Sequence, residues 1–143
     1  MDDALPEFPH DMVAILATIG SGGPAAIPVS AVVRHGPRSL LLGLAARRGS
    51  LVRLRADPRV ALSLSGPGFC LAVEGEASVA ADPLPGVERM VAVAVRATGI
   101  RDVRGAATEV DGGMLWRWTD DAAGARHRAV MAALGRLAAG TIV

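Results

Sequence analysis

Apolar and other residues alternate from Met12 to Ile19, which puts Val13, Ile15, Ala17 and Ile19 on one face. That two-residue period is the mark of a strand with one covered side. Gly20-Ser21-Gly22-Gly23-Pro24 follows, a cluster of turn formers between two apolar runs, and predicts a hairpin. The second strand spans Ala25 to Val33 with Pro28 inside it. Proline has no N–H to donate, so this stretch belongs at a barrel opening, an edge or a bulge. After Arg34-His35-Gly36-Pro37-Arg38, the third strand runs from Ser39 to Leu44 and is apolar on both faces, as in a closed or doubly covered sheet.

The period then lengthens. Leu51, Arg53, Leu54 and Arg55 have helical spacing over Ser50–Ala56, with Ser50 as N-cap and Asp57-Pro58 as the stop. Val60–Leu64 is the fourth strand, and Gly66-Pro67-Gly68 a turn. The fifth, Phe69–Ala80, turns Phe69, Leu71, Val73, Ala77 and Val79 inward and Glu74, Glu76 and Ser78 outward. Pro83-Leu84-Pro85-Gly86 breaks the pattern, Val91, Val93 and Val95 mark a sixth strand, and Met114–Trp118 a short last one. Thr119 caps a C-terminal helix that starts with Asp120 and Asp121, favourable to its dipole, and carries Val130, Met131, Leu134, Leu137 and Ala138 as its apolar stripe. The expectation is a mainly β chain: a six-stranded antiparallel barrel with one short inserted helix and a C-terminal helix.

Composition narrows the function. The 143 residues suit a single domain over 1–143, and 51% hydrophobic against 20% charged residues argues against a disordered chain. No apolar run is long enough for a bilayer, and the acidic start lacks a secretory layout, so the expected address is cytoplasmic, with no membrane partner. A net charge of +1 gives no pull toward nucleic acid. All 15 basic residues are arginine. Without lysine there is no Schiff-base chemistry, and a phosphate must be held by arginine, hydroxyl or backbone N–H groups. Cys70, the single cysteine, excludes internal disulfides and cysteine metal clusters, and its apolar surroundings suit a buried thiol. His10, His35 and His127 lie apart, without metal-ligand spacing.

Nucleophile triads, HExxH and P-loop patterns are all missing from the sequence. Gly20–Gly23 reads as a hairpin turn and the Glu74/Glu76 pair as a solvated strand face. What remains is Leu40–Ser50, which leads from a strand through a basic turn into a helix. A helix N-terminus offers free N–H groups; Arg47, Arg48 and Arg53 add charge, and Gly49-Ser50 a hydroxyl. This is either an anion site or a solvated basic turn in which Ser50 only caps.

The stretch from Ala14 to Ala80 resembles the pyridoxamine-phosphate-oxidase-like, FMN-binding split-barrel family. Leu16-Ala17-Thr18-Ile19 before the Gly-rich turn, Ile27-Pro28-Val29-Ser30, and above all Ala56-Asp57-Pro58-Arg59-Val60-Ala61-Leu62 carry the likeness. Trp116-Arg117-Trp118-Thr119-Asp120 and the final helix look like a branch of that family found in high-GC bacteria. The resemblance implies a split barrel of Greek-key type and a homodimer with the cofactor in grooves shared by both subunits. It places Pro28, Val29 and Ser30 along the flavin ring and Arg47, Arg48, Gly49 and Ser50 at the phosphate. Trp116 or Trp118 would approach the ring from the second subunit. Family phosphate sites show a hydroxyl near Leu44, a small hydroxyl near Arg48 and a lysine near Ser50, where this chain has Leu, Arg and Ser. The substrate-phosphate motif of true pyridoxamine phosphate oxidases is absent. The resulting expectation is an oxidoreductase binding FMN, or alternatively the deazaflavin coenzyme, that acts on a small molecule through cofactor hydride chemistry. The alternatives are a non-enzymatic flavin or deazaflavin carrier or sensor, and a cofactor-free dimeric barrel; the family also has haem-binding members.

Overall fold

The computed structural model describes residues 4–140. Seven strands and two helices follow one another as β1 Ala14–Gly20, β2 Gly23–Val29, β3 Val32–Gly36, β4 Ser39–Ala45, α1 Gly49–Ala56, β5 Arg59–Gly66, β6 Phe69–Ala81, β7 Met90–Asp102 and α2 Asp121–Ala138. All pairs are antiparallel, in the order β2-β1-β5-β6-β7-β4-β3. The two outermost strands, β2 and β3, are consecutive in the chain and joined only by Ser30-Ala31. Two residues span less than about 7 Å, so the sheet has to curl until its ends meet. It closes into a barrel whose seam lies at Ser30-Ala31, where the Ala31 carbonyl accepts a hydrogen bond from Gly43 N–H at 2.9 Å.

This seam corrects two expectations. Ala25–Val33 is two strands rather than one, because Ser30-Ala31 leaves the β1 ladder before Val32 joins β4. The sheet therefore has seven strands, with Pro28 on an edge strand where its missing donor costs no ladder bond. Met114–Trp118 forms no strand: it pairs with nothing, and its tryptophans gather against α2 instead. The sixth predicted strand is longer than its valines suggested, running to Asp102, because beyond Val95 one face is exposed and its polar residues hide the alternation.

The two faces of β4 explain its apolar sequence. Leu40, Leu42 and Leu44 point into the barrel with Leu16, Leu62, Val73 and Val93. Leu41 lies on the outside, under Val130, Ala133 and Leu134 of α2. Gly43 lets that helix come close, since a Cβ there would stand 3.0 Å from Val130 Cγ1 and 3.1 Å from Ala31 Cβ.

The hairpin turns follow their residues. Ser21-Gly22 joins β1 to β2, and Pro67-Gly68 joins β5 to β6 with Gly68 at φ +84°. Proline then glycine at positive φ is the pairing that a type II turn requires. Asp57 ends α1: its N–H donates to the Arg53 carbonyl at 2.8 Å. Its carboxylate accepts from the Arg59 backbone N–H at 3.1 Å and from the Arg59 guanidinium at 2.7 Å. The Asp-Pro-Arg string is thus a helix stop and strand start. None of the described helices is long and apolar enough to cross a membrane.

Candidate functional site

A cleft of about 1030 Å³ opens along the seam. Pro28, Val29, Ser30 and Ala31 form one side and Gly43, Leu44 and Ala45 its floor. Beyond the floor stand Arg48 and the β6–β7 loop with Glu88 and Arg89; across from them stand Trp116, Trp118 and the first turns of α2 with Arg126 and His127. The wall positions are small where the backbone turns, so a flat ligand can lie near the main chain.

The aromatic wall is built as a ladder. Trp118 stacks on His127 with centroids 5.0 Å apart and planes tilted 34°, and Trp116 meets Trp118 edge-on at 6.3 Å. Trp118 also packs beside Gly124 of α2, where a Cβ would stand at an ordinary contact distance of 3.6 Å from Trp118 Cβ. Burial beside this ring holds the His127 pKa below the ordinary imidazole value of 6.5, outweighing the opposite pull of Asp11 and adding to the smaller repulsion from Arg128 and His10. The ring therefore sits in the cleft uncharged at neutral pH.

The structure divides the residues singled out in the sequence. Pro28, Val29, Ser30, Arg48 and Trp116 all line the cleft. Arg47, in the turn, and Gly49, the first residue of α1, are exposed but are not part of its lining. Arg53 turns the other way: its Nε–H donates to Thr18 Oγ1 at 2.8 Å, and its side chain lies over Gly20 beside a separate hollow of about 290 Å³. Ser50 does not cap α1. Arg48 holds the N-cap position without a side-chain cap bond, while Ser50, inside the first turn, is 1% exposed with its Oγ buried and unpartnered. An unpaired buried hydroxyl costs about 1–3 kcal/mol. At the second helix Asp120, not Thr119, is the N-cap, its carboxylate accepting from Ala122 N–H at 2.8 Å.

Arg89, Arg126 and His127 escaped the sequence reading. Arg89 follows a proline-rich break, and Arg126 and His127 lie at the margin of the α2 apolar stripe. Only tertiary packing brings them to the seam. The signal that was available is on α2 itself, where Arg126 and His127 stand four residues before Val130 and Met131 and so on the same side of the helix.

No protein-family model and no curated protein matches the sequence. Solved structures do match it. A candidate pyridoxamine 5′-phosphate oxidase from Listeria innocua superposes with a TM-score of 0.56 at 16% identity, over 67% of this chain and 90% of that one. An F420 reductase gives 0.57 at 20% identity, over 68% and 98%. HutZ, the heme storage protein of Vibrio cholerae, gives 0.54 at 10% identity, over 65% and 87%. At such identities the likeness is one of architecture: the chain has the split-barrel fold of the pyridoxamine 5′-phosphate oxidase-like proteins.

Proposed function

We propose that this chain is a member of the pyridoxamine 5′-phosphate oxidase-like family, a homodimeric oxidoreductase that holds FMN, or alternatively the deazaflavin coenzyme, in the seam cleft. The observation that carries this reading is the cleft itself. Its volume of about 1030 Å³ is at the upper end of small-molecule sites, roughly 300–1,000 Å³. Its wall of small residues, its arginines and its tryptophans match the planar ring and anionic tail of such a cofactor. The bound cofactor would supply hydride transfer, and the chain position and electrostatics. Pro28–Ala31 would border the ring, Arg48 would hold the phosphate, and Trp116 and Trp118 would flank the ring.

Trp116 and Trp118 are 41% and 44% exposed, so within one chain neither seals the cleft. An open ring face leaves space for a small-molecule substrate, which favours the enzyme over the carrier or sensor. Met114 and Leu115, 46% and 69% exposed beside them, make an apolar strip that a second subunit would cover. A dimer mass in light scattering at micromolar concentration is the expected result, and a monomer would remove that element of the reading.

The direct test is the absorption of purified protein, then anaerobic reduction of the bound cofactor and reoxidation by added acceptors. Flavin or deazaflavin bands with fast, saturable reoxidation are expected. Bands with reoxidation no faster than free cofactor would leave a carrier, and a Soret band alone would move the cleft to haem.

A further inference from the structure

The chain between β7 and α2 is held in two different ways. Its first part is fastened to the β5–β6 hairpin. Val103 N–H donates to the Cys70 carbonyl at 2.9 Å. Arg104 Nη1–H donates to the Gly68 carbonyl at 2.9 Å, and Gly68 N–H to the Val110 carbonyl at 2.8 Å. Gly113 then lies directly on the β5 backbone. A Cβ there would stand 2.7 Å from the Ser65 carbonyl carbon and 3.0 Å from Ser65 Cβ, too close for any side chain. Ser65 is paired with Cys70 in the sheet, so its main chain does not yield easily.

The part that follows has no such fastening. Among the described residues, Asp111 to Thr119 make no main-chain hydrogen bond. Met114, Leu115, Trp116 and Trp118 are all exposed. Trp118 rests on α2 through His127 and Gly124, and Trp116 reaches the helix only by way of Trp118. The place of the two indoles thus depends on two ends: the seat on α2, and Gly113, three residues before Trp116. Three residues span at most about 11 Å, so little chain is available to absorb a shift of Gly113. Ser65, Gly68 and Gly113 are not part of the cleft lining.

We infer that Gly113 is a positioning residue. Its close approach to Ser65 fixes Trp116 and Trp118 as the aromatic wall of the cleft, and so governs binding of the ring rather than of the phosphate. The placement of the indoles stands on the contacts above; its consequence for the ring rests on the cofactor reading and deepens it.

Wild type is compared with three variants. Gly113→Ala forces the segment off Ser65, and Arg104→Ala removes one exposed fastening. Gly66→Ala is the control: its methyl meets the Phe69 ring and Pro9 Cγ on the same hairpin but not the segment before α2. The chain has 2 tryptophans and no tyrosine, so circular dichroism at the indole bands reports this pair alone. Gly113→Ala should lose most of that signal and weaken riboflavin and FMN by the same factor, about three- to tenfold, the worth of an aromatic contact. Arg104→Ala should change both in the same direction and by less. Gly66→Ala should lower the melting temperature through overpacking and keep the dichroism and both affinities. Wild-type dichroism in Gly113→Ala, an equal loss in Gly66→Ala, or weakening of FMN without riboflavin overturns the inference. If Gly113→Ala does not fold, Arg104→Ala decides: reduced dichroism at an unchanged melting temperature supports the inference, and unchanged dichroism overturns it. Wild type that binds neither ring compound removes the cofactor reading, while the dichroism comparison still decides what places the indoles.

Discussion

Arg48 lines the cleft from the N-cap position of α1, exposed and without a carboxylate partner among the described residues, while Arg47 beside it does not line it. Neutralising Arg48 should therefore weaken FMN binding by roughly 1.5–3 kcal/mol, the worth of a charge-assisted hydrogen bond. Arg47→Ala should cost distinctly less. Ser50→Ala is the internal control. Its buried Oγ has no partner to lose, so calorimetry should show unchanged or raised thermal stability, and FMN affinity should hold. A large affinity loss in Ser50→Ala would mean that α1 shifts to present this hydroxyl to the phosphate. His127 supplies a pH signature. Its folded pKa is depressed by burial, so below 6.5 the unfolded chain takes up a proton that the folded chain resists. Stability should fall as pH drops through 6.5 toward the folded value, then level off. Melting temperatures measured across that window should show the slope in wild type and lose it in His127→Phe.

At the level of elements, legibility followed how local the cause was. The alternation in β6 and both glycine-bearing turns were readable because each depends on neighbours in sequence; in β1 the period was readable but its phase was not, since Ala14, Leu16 and Thr18 are the buried set while Ile15 and Ala17 are half-buried and Ile19 is exposed. The all-apolar β4 was readable as doubly covered, and Leu41 under α2 against Leu40 and Leu42 in the barrel is the reason. The break at Ser30-Ala31 was not readable. Nothing in the run from Ala25 to Val33 marks it, since the cause is closure of a sheet whose edge strands are adjacent in the chain. The most recognisable string, Asp57-Pro58-Arg59, is the stop of α1 and the start of β5, as its residues predict; hydrogen bonds from Arg59 hold the Asp57 carboxyl at a pKa of about 2. The candidate phosphate segment was half legible: Arg48 is on the cleft, but Arg53 serves Thr18, because a helix sends residues 48 and 53 to different sides. Gly43 tests the contact that sets the floor of the cleft. Gly43→Ala forces a methyl against Val130 and Ala31, and overpacking of this kind costs about 1–3 kcal/mol. Denaturant unfolding should report that loss. Unchanged stability would show that α2 can move off the sheet freely.

Across the whole molecule, one barrel seam organises the rest. The chain must close its sheet at Ser30-Ala31, closure leaves a cleft beside β4, and α2 with the segment before it supplies the opposite wall. The architecture alone does not choose a chemistry, since proteins of the same fold serve different ligands. The proposed chemistry rests on the cleft, with its small walls, its arginines and its two indoles. Those indoles make the central claim measurable without a label: the chain has 2 tryptophans and no tyrosine, and both tryptophans line the cleft. Intrinsic tryptophan emission followed during titration with FMN, and in parallel with the deazaflavin coenzyme, reports the site alone. The account predicts saturable quenching by at least one of them, at one cofactor per chain, weakened in Arg48→Ala. Emission that declines only in proportion to added cofactor, with no saturation for either compound, would contradict it.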